Sequence, residues 1–233
     1  MLTDLELINI QTHALFRHDD RSRLLSVNEP GAEPEAPRFF LGRTLEGNIW
    51  RFRSDLPESL IEKLERICVN EPISSTLSDA PAGIDEIVTL LKTHGPVRYI
   101  ESGPAYCFTE YQEPSQHVMA LRESDSEMLR GGFEKLMEEL PEWQPFVALV
   151  ENGRAVSVCR SVRITSEAHE AGVETLPDFR GKDLATRVTA VWASLVHSSG
   201  AEPLYSTSWD NVASQSVARK LNLKNFGADL HIG

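Results

Sequence analysis

The sequence predicts an α/β (α+β) protein, because segments with the period of a strand alternate with segments with the period of a helix. Asn152-Gly153 separates two apolar segments rich in valine, and this dipeptide is a strong signal for a β-hairpin. Farther along the chain, apolar residues recur at steps of four, three and four, which places them on one face of a helix. These residues are Leu184, Val188, Val191 and Leu195.

The residue pattern in the first half of the chain predicts a β-hairpin with helices before and after it. Three prolines and a glycine exclude regular structure over residues 28–37, so we expect a loop there. Residues 97–109 are rich in aromatic residues and interrupted by Gly103-Pro104, which indicates two short strands or one strand with a bulge. The other predicted elements are a helix over 2–16, hairpin strands over 38–43 and 48–53, a helix that starts near Pro57, and a helix over 84–94.

In the second half of the chain the predicted strands and helices follow one another more closely. The polar stretch Glu113-Pro114-Ser115-Gln116 precedes it, so we expect two domains, an N-terminal α/β domain over 1–115 and a second domain over 116–233. The predicted elements are strands over 118–122, 145–150, 154–162, 167–175, 204–208 and 225–232, an acidic helical region over 124–140, and helices over 184–199 and 211–221.

Composition narrows the range of partners. A net charge of −12 argues against nucleic acid and anionic membranes as partners, because both reward clustered lysine and arginine. There is no apolar run of roughly 20 residues, and Met1-Leu2-Thr3-Asp4 lacks the basic flank of a secretory signal, so we expect a cytoplasmic protein. The three cysteines are odd in number and widely spaced, and the histidines have no ligand spacing. We therefore expect buried thiols, no disulfide framework and no metal.

Residues 172–185 read as a strand, a tight turn and the start of a helix. Pro177 ends the strand because it has no N–H for the ladder, and Arg180-Gly181 leads into the apolar-periodic segment. A helix start exposes backbone N–H groups and carries partial positive charge, so such a turn can bind a phosphate.

The segment from Val173 to Leu223 resembles the GNAT superfamily of N-acetyltransferases. The family motif, often written Arg-Gly-x-Gly-x-Ala, is matched at Arg180, Gly181 and Ala185. A second family signature, an asparagine that opens the next helix, is matched by Asn211, and the resemblance covers roughly residues 118–233. It implies a mixed, mostly antiparallel twisted sheet flanked by helices, with a GNAT-like C-terminal domain beside the N-terminal α/β domain.

The resemblance implies acetyl-CoA, or a related acyl-CoA, as co-substrate. Its pyrophosphate would lie on the turn and its pantetheine beside the preceding strand, with contacts from the helix that Asn211 opens. The implied binding residues are Val173, Glu174, Thr175, Arg180, Gly181, Lys182, Asp183, Leu184, Ala185, Asn211 and Ser214.

Two positions depart from the family pattern. Asp183 places a carboxylate where the family has a second small residue, and two unit charges at about 4 Å repel by roughly 4 kcal/mol at an effective dielectric near 20. A carboxylate there could also be an exposed charge that the helix dipole stabilises. Ala218 stands where many members carry a tyrosine that acts as general acid, so we expect Tyr205, or water, to take that role.

Amine acetylation requires a base for the amine proton and N–H groups for the developing oxyanion. Glu170 and Glu174 are the candidate bases, since they lie four residues apart on one strand and share a face if the strand is regular. By family analogy the backbone N–H of Val173 is the oxyanion donor. Asp210, just before the helix, is expected to cap it.

Three functions are compatible with these residues. The first is an N-acetyltransferase that moves acetyl from acetyl-CoA directly to an amine on a small molecule or peptide, with the N-terminal domain shaping the acceptor site and a homodimer as a family-based expectation. The second is a catalytically weak or inactive acyl-CoA-binding or regulatory module with the same fold. The third places the function in the N-terminal half, with the other half as a scaffold.

Overall fold

The computed structural model describes residues 2–111 and 117–233, which form five α-helices and eleven strands. The α-helices are α1 (Asp4–Leu15), α2 (Glu58–Val69), α3 (Ile84–His94), α4 (Leu184–Ser198) and α5 (Val212–Lys220). The strands are β1 (Phe16–His18), β2 (Leu24–Val27), β3 (Phe39–Arg43), β4 (Asn48–Phe52), β5 (Ile100–Cys107), β6 (Val118–Ala120), β7 (Phe146–Glu151), β8 (Arg154–Ile164), β9 (Ala168–Thr175), β10 (Glu202–Ser206) and β11 (Lys224–Ile232).

Nine strands form one sheet in the order β4-β3-β11-β5-β10-β9-β8-β7-β6. Strands β9 and β10 pair in parallel, and the other neighbours in this sheet pair antiparallel. Strands β1 and β2 form a separate antiparallel pair. The predicted α/β class, with a mixed and mostly antiparallel sheet flanked by helices, is confirmed.

The large sheet includes strands from both halves of the chain. Strand β11, near the C-terminus, lies between β3 and β5 and pairs with both. The predicted boundary, Glu113-Pro114-Ser115-Gln116, lies outside the described residues, and the division into 1–115 and 116–233 stays a prediction. The backbone hydrogen bonds of β11 join the two sequence halves into one sheet.

Alternate residues of the strands face two helical layers. Tyr205 packs into the core under α4, around the fully buried Trp192, whereas its neighbour Leu204 packs under α1 on the opposite face. Helices α2 and α3 cover the β3–β11 end of the sheet on the α4 side, against Leu230 and Ile232. Helices therefore pack on both faces of the sheet.

The predicted acidic helical region over 124–140 is interrupted and contains no α-helix. Two short 3-10 turns, Glu123–Leu129 and Glu134–Leu136, stand in its place. Gly131 and Gly132 between them have φ of 87° and 150°, a backbone that an α-helix cannot contain. The apolar spacing nevertheless buries one face of the segment against β7 and β8 through Leu129, Phe133, Leu136 and Leu140.

The segment around Gly103-Pro104 is one continuous strand, β5, and the irregularity lies in its partner. The register with β11 shifts between Asn225 and Gly227, so the bulge belongs to β11. Cys68, Cys107 and Cys159 are buried and unpaired, which confirms the prediction of buried thiols.

Gly103 allows the chain that follows β10 to lie directly against β5. The N–H of Thr207 donates to the Pro104 carbonyl at 3.3 Å, and the N–H of Trp209 donates to the Ser102 carbonyl at 3.2 Å. A Cβ on residue 103 would lie 1.6 Å from the Thr207 carbonyl oxygen. Only glycine fits this contact, which holds residues 207–209 in place.

We predict that Gly103→Ala lowers the free energy of unfolding by roughly 1–3 kcal/mol, because the added methyl collides with backbone that cannot rotate away. Urea denaturation followed by circular dichroism measures the change. Gly47→Ala is the matched control, since a Cβ there meets only Leu5 at 3.6 Å. Equal stability of the two variants would contradict the proposed close contact.

Candidate functional site

The candidate site lies where β9 and β10 separate. Their parallel pairing ends at Leu204 with Glu170. Beyond it β9 continues beside β8 as far as Thr175, while β10 continues beside β5 as far as Ser206. A cavity of about 800 Å³ opens between the diverging strands and the first turns of α4 and α5.

Most of the predicted site residues line this cavity, which we call the main cavity. From β9 and the turn they are Val173, Glu174, Thr175, Arg180, Gly181, Asp183, Leu184 and Ala185, and from β10 and α5 they are Tyr205, Asn211 and Ser214. Two predicted residues are outside this lining. Lys182 lies with its ammonium 4.6 Å from the centre of the Phe179 ring, and Glu170 lies behind the cavity wall.

The turn before α4 depends on two residues with left-handed backbone. A 3-10 turn, Pro177–Phe179, follows β9, and Gly181 and Asp183 then have φ of 74° and 64°. Asp183 occupies the N-cap position of α4. The start of this fifteen-residue helix faces the main cavity, so its first N–H groups and its dipole favour an anion there.

The Asp183 carboxylate is neutralised within the protein. It accepts hydrogen bonds from the Lys220 ammonium at 2.8 Å and from the Thr186 hydroxyl at 2.9 Å. The bond from Lys220 is the main reason that the pKa of Asp183 is lowered. The side chain is half exposed, so this ion pair is weak in energy, but it ties α4 to α5 at the rim of the cavity.

Tyr205 extends from β10 to the start of α5. Its hydroxyl lies 2.7 Å from the Ser214 hydroxyl, and the side chain of Asn211 accepts from the Ser214 N–H and so caps α5. Burial raises the pKa of Tyr205 to about 12, so this phenol keeps its proton at neutral pH. The expected cap by Asp210 is wrong, because its carboxylate accepts instead from the Ser208 hydroxyl.

Glu170 is a buried carboxyl group with 2% exposure, beside the point where the strands separate. Gln11 of α1 donates to one oxygen at 3.0 Å, and Ser206, which lines the main cavity, donates to the other at 3.1 Å. Burial raises the pKa of Glu170 to about 7, the Asp229 carboxylate adds to this rise, and the bond from Gln11 opposes it. A carboxyl group with this pKa can exchange protons near neutrality.

Glu174 has a different environment from Glu170. Its carboxylate lies 2.9 Å from the Arg160 guanidinium and 3.8 Å from the Lys135 ammonium. Arg160 is itself buried and lies over the Trp143 ring. Glu174 thus compensates a buried cation, and this role competes with proton transfer.

The sequence interpretation missed Gln11, Ser206 and Lys220, which complete the surroundings of Glu170 and Asp183. Gln11 had a detectable signal, because it is a polar residue on the apolar face of α1 between Ile8 and Ala14. Ser206 and Lys220 had no such signal, since only the packing of β10 and α5 brings them to the site.

A second cavity of about 400 Å³ adjoins the main cavity, and Ser206 and Thr207 line both. Its other lining residues are Leu15, Glu101, Ser102, Ser208, Asp210, Asp229 and His231. We call it the acidic cavity, because three carboxylates and one histidine supply its ionisable side chains.

Residues 141–227 match the family model of the GNAT acetyltransferases. Over these residues the chain is similar to that family. The matched region includes β7, β8, β9, α4, β10 and α5, and therefore nearly all of the main cavity. The resemblance inferred from the two motifs is confirmed. A search of curated proteins finds no match.

Solved structures similar to this chain include several acetyltransferases. A GNAT-family acetyltransferase from Novosphingobium aromaticivorans has 15% identity and a TM-score of 0.46, and the alignment covers 59% of this chain and 66% of that chain, just under two thirds of its length. A GCN5-related N-acetyltransferase-like protein from Streptococcus suis has 16% identity and a TM-score of 0.45 over 85% of each chain. An aminoglycoside N-acetyltransferase in complex with CoA has 21% identity and a TM-score of 0.40, covering 47% of this chain and 92% of that chain.

None of the helices in the described part of the chain is long and apolar enough to cross a membrane.

The raised pKa of Glu170 predicts a pH-dependent contribution to stability. Between about pH 4.5 and pH 7 the folded protein holds this proton and the unfolded chain does not, so the free energy of unfolding falls as pH rises through that window. A shift of this size corresponds to roughly 3 kcal/mol. We expect Glu170→Gln to lose this contribution, so that its stability relative to wild type rises from pH 5 to pH 8.

Urea denaturation of both proteins at pH 5 and pH 8 measures this difference. Glu62→Gln, which neutralises an exposed carboxylate on α2, serves as the control. A relative stability of Glu170→Gln that is the same at both pH values would show that Glu170 titrates normally.

Proposed function

We propose that this protein transfers an acetyl group from acetyl-CoA directly to an amine. The observation that carries the proposal is the cavity between the separated ends of β9 and β10, with the start of α4 at its edge, within a GNAT acetyltransferase domain. The cavity has room for an extended co-substrate, a helix start that favours its phosphates, and hydroxyl groups from Tyr205, Ser206 and Thr207.

The cavity residues suit the parts of acetyl-CoA in order. Arg180 and the N–H groups from Gly181 to Ala185 would hold the pyrophosphate, and Lys182 on the same turn would add positive charge. The edge of β9 at Val173, Glu174 and Thr175 would lie beside the pantetheine, with Asn211 and Ser214 opposite. Bound acetyl-CoA supplies a thioester carbonyl, which the N–H of Val173 would polarise.

Glu170 and Tyr205 are suited to opposite proton transfers. Glu170 accepts a proton from the amine nitrogen through the Ser206 hydroxyl or water, because its raised pKa places it near neutrality. As the new N–C bond forms and the C–S bond breaks, the sulfur takes a proton from Tyr205, whose hydroxyl is protonated and lies on the cavity wall. Glu170 then releases its proton to water and Tyr205 recovers one from water, which restores both groups.

The alternative is an acyl-CoA-binding module without turnover, and one observation favours it. Ala218, at the position where many family members carry the acidic tyrosine, is buried at 1% exposure, so no hydroxyl reaches the cavity from that point. A cytoplasmic location, a homodimer and the absence of a metal requirement stay expectations.

Calorimetric titration with acetyl-CoA, followed by an assay of free CoA thiol in the presence of a panel of amines, separates the two functions. Saturable binding with amine-dependent thiol release supports the transferase. Binding without thiol release on any amine favours the module, and no binding at millimolar acetyl-CoA refutes both.

We predict that Tyr205→Phe lowers kcat by about 10- to 100-fold, because the sulfur loses its proton donor. The Kd for acetyl-CoA, measured by calorimetry, changes by less than about twofold because the ring still fills the same core. Tyr106→Phe is the matched control, since Tyr106 is the register partner of Tyr205 on β5 and lies outside the main cavity lining. A kcat that falls equally in both variants would assign Tyr205 a packing role.

We predict that Asp183→Asn lowers the Kd for acetyl-CoA by about fivefold, or about 1 kcal/mol. The change removes a negative charge near the pyrophosphate and releases Lys220, while asparagine tolerates the left-handed backbone at this position. The gain shrinks at high salt because the site is half exposed. Asp178→Asn, the same change on the adjacent 3-10 turn, is the control, and equal affinities for both variants would show that Asp183 does not tune binding.

A further inference from the structure

The acidic cavity lies next to the proposed reaction site and has a strongly negative lining. Glu101 and Asp229 come from two adjacent strands, β5 and β11, and Asp210 comes from the segment before α5. The cavity meets the main cavity at Ser206 and Thr207, where β10 ends. A molecule in the acidic cavity would therefore reach the separated ends of β9 and β10.

Asp229 is a buried carboxylate without a permanent cation. It is 9% exposed, and among the described residues no lysine or arginine lies within ion-pair distance of it. The nearest basic group is the His231 ring, with Nε2 3.4 Å from Oδ1, and Gln11 donates to Oδ2 at 3.4 Å. Buried carboxylates are normally matched by a cation, so Asp229 is suited to a positively charged ligand.

Gln11 links this carboxylate to the proposed base. The same amide nitrogen donates to Glu170 at 3.0 Å and to Asp229 at 3.4 Å, which keeps the two carboxyl groups close together at the junction of the cavities. The two groups nevertheless have different surroundings, since Glu170 meets the Ser206 hydroxyl while Asp229 faces the acidic cavity. Glu170 is thus suited to removing a proton from a nitrogen, and Asp229 is suited to stabilising a nitrogen that stays charged.

We propose that the acidic cavity binds the acceptor, and that the acceptor is a small amine with a second positive charge, such as a diamine. The reacting nitrogen lies at the junction beside Ser206 and Thr207, and the second ammonium lies with Asp229 and Glu101. The methylene chain between them fits beside Leu15. This inference rests on the proposed acetyl transfer for the identity of the reacting nitrogen, but the binding of a dication does not require turnover.

The fixed position of residues 207–209 supports this arrangement. Gly103 lets this segment lie against β5, and backbone bonds from Thr207 and Trp209 hold it there. Thr207 lines both cavities, so the backbone bonds of this segment to β5 also hold the junction in place relative to the sheet that carries Asp229. A rigid spacing discriminates a diamine that spans it from a monoamine that leaves Asp229 unmatched.

Calorimetric titration with 1,4-diaminobutane and with n-butylamine, each with and without saturating CoA, tests the proposal. We expect the diamine to bind wild-type protein at least about tenfold more tightly than the monoamine. Asp229→Asn should remove most of this preference and leave the affinity for n-butylamine within about twofold. Glu62→Gln, with the same charge change on the outside of α2, should keep the preference.

Glu101→Gln provides a second test at an exposed position, in case Asp229→Asn does not fold. We expect it to weaken diamine binding by about threefold and to leave the binding of acetyl-CoA unchanged. Equal binding of the two amines to wild type, or a preference that survives both substitutions, would overturn the inference. Diamine selectivity without acetyl-CoA binding would instead refute the proposed transfer while supporting the acidic cavity as a dication site.

Discussion

The separation of β9 from β10 depends on each strand keeping a different outer partner. Strand β9 remains bonded to β8 up to Thr175, and β10 remains bonded to β5 up to Ser206, so neither is free to follow the other beyond Glu170 and Leu204. The main cavity is the space that results. The antiparallel hydrogen bonds to β5, a strand from the first half of the chain, therefore hold β10 away from β9.

The two halves of the chain therefore contribute jointly to the site. The region that matches the GNAT family model, residues 141–227, supplies the separated strands, the turn and the starts of α4 and α5. The first half supplies β5, which guides β10, and Gln11, which binds both Glu170 and Asp229. This arrangement favours a joint role for the halves over a scaffold on one side and a function on the other.

The two cavities differ in the charged groups that line them. The net charge of −12 makes the potential around the protein negative. The main cavity is lined by positive groups that oppose this potential, namely Arg180, Lys220 and the start of α4. The Lys220–Asp183 ion pair cancels one positive and one negative charge at its rim. On the other side of Ser206 and Thr207 the acidic cavity retains the general negative potential, which attracts cations over distances comparable with the Debye length.

The sequence alone determined the local elements and the turn, because these depend on residues close together in the chain. The 3.6 period of α4, the Asn152-Gly153 hairpin and the Arg180-Gly181 turn were all predictable. There were two exceptions. In residues 124–140 the apolar spacing indicated the buried face, but Gly131-Gly132 interrupt the helical region, and the cap of α5 is Asn211 and not Asp210. Only the tertiary structure decided that Asp183 meets Lys220, that Glu170 is buried beside Gln11, and that β11 inserts between β3 and β5. These contacts join residues 37, 159 and more than 100 positions apart, and their formation depends on how whole elements pack, which no local period encodes.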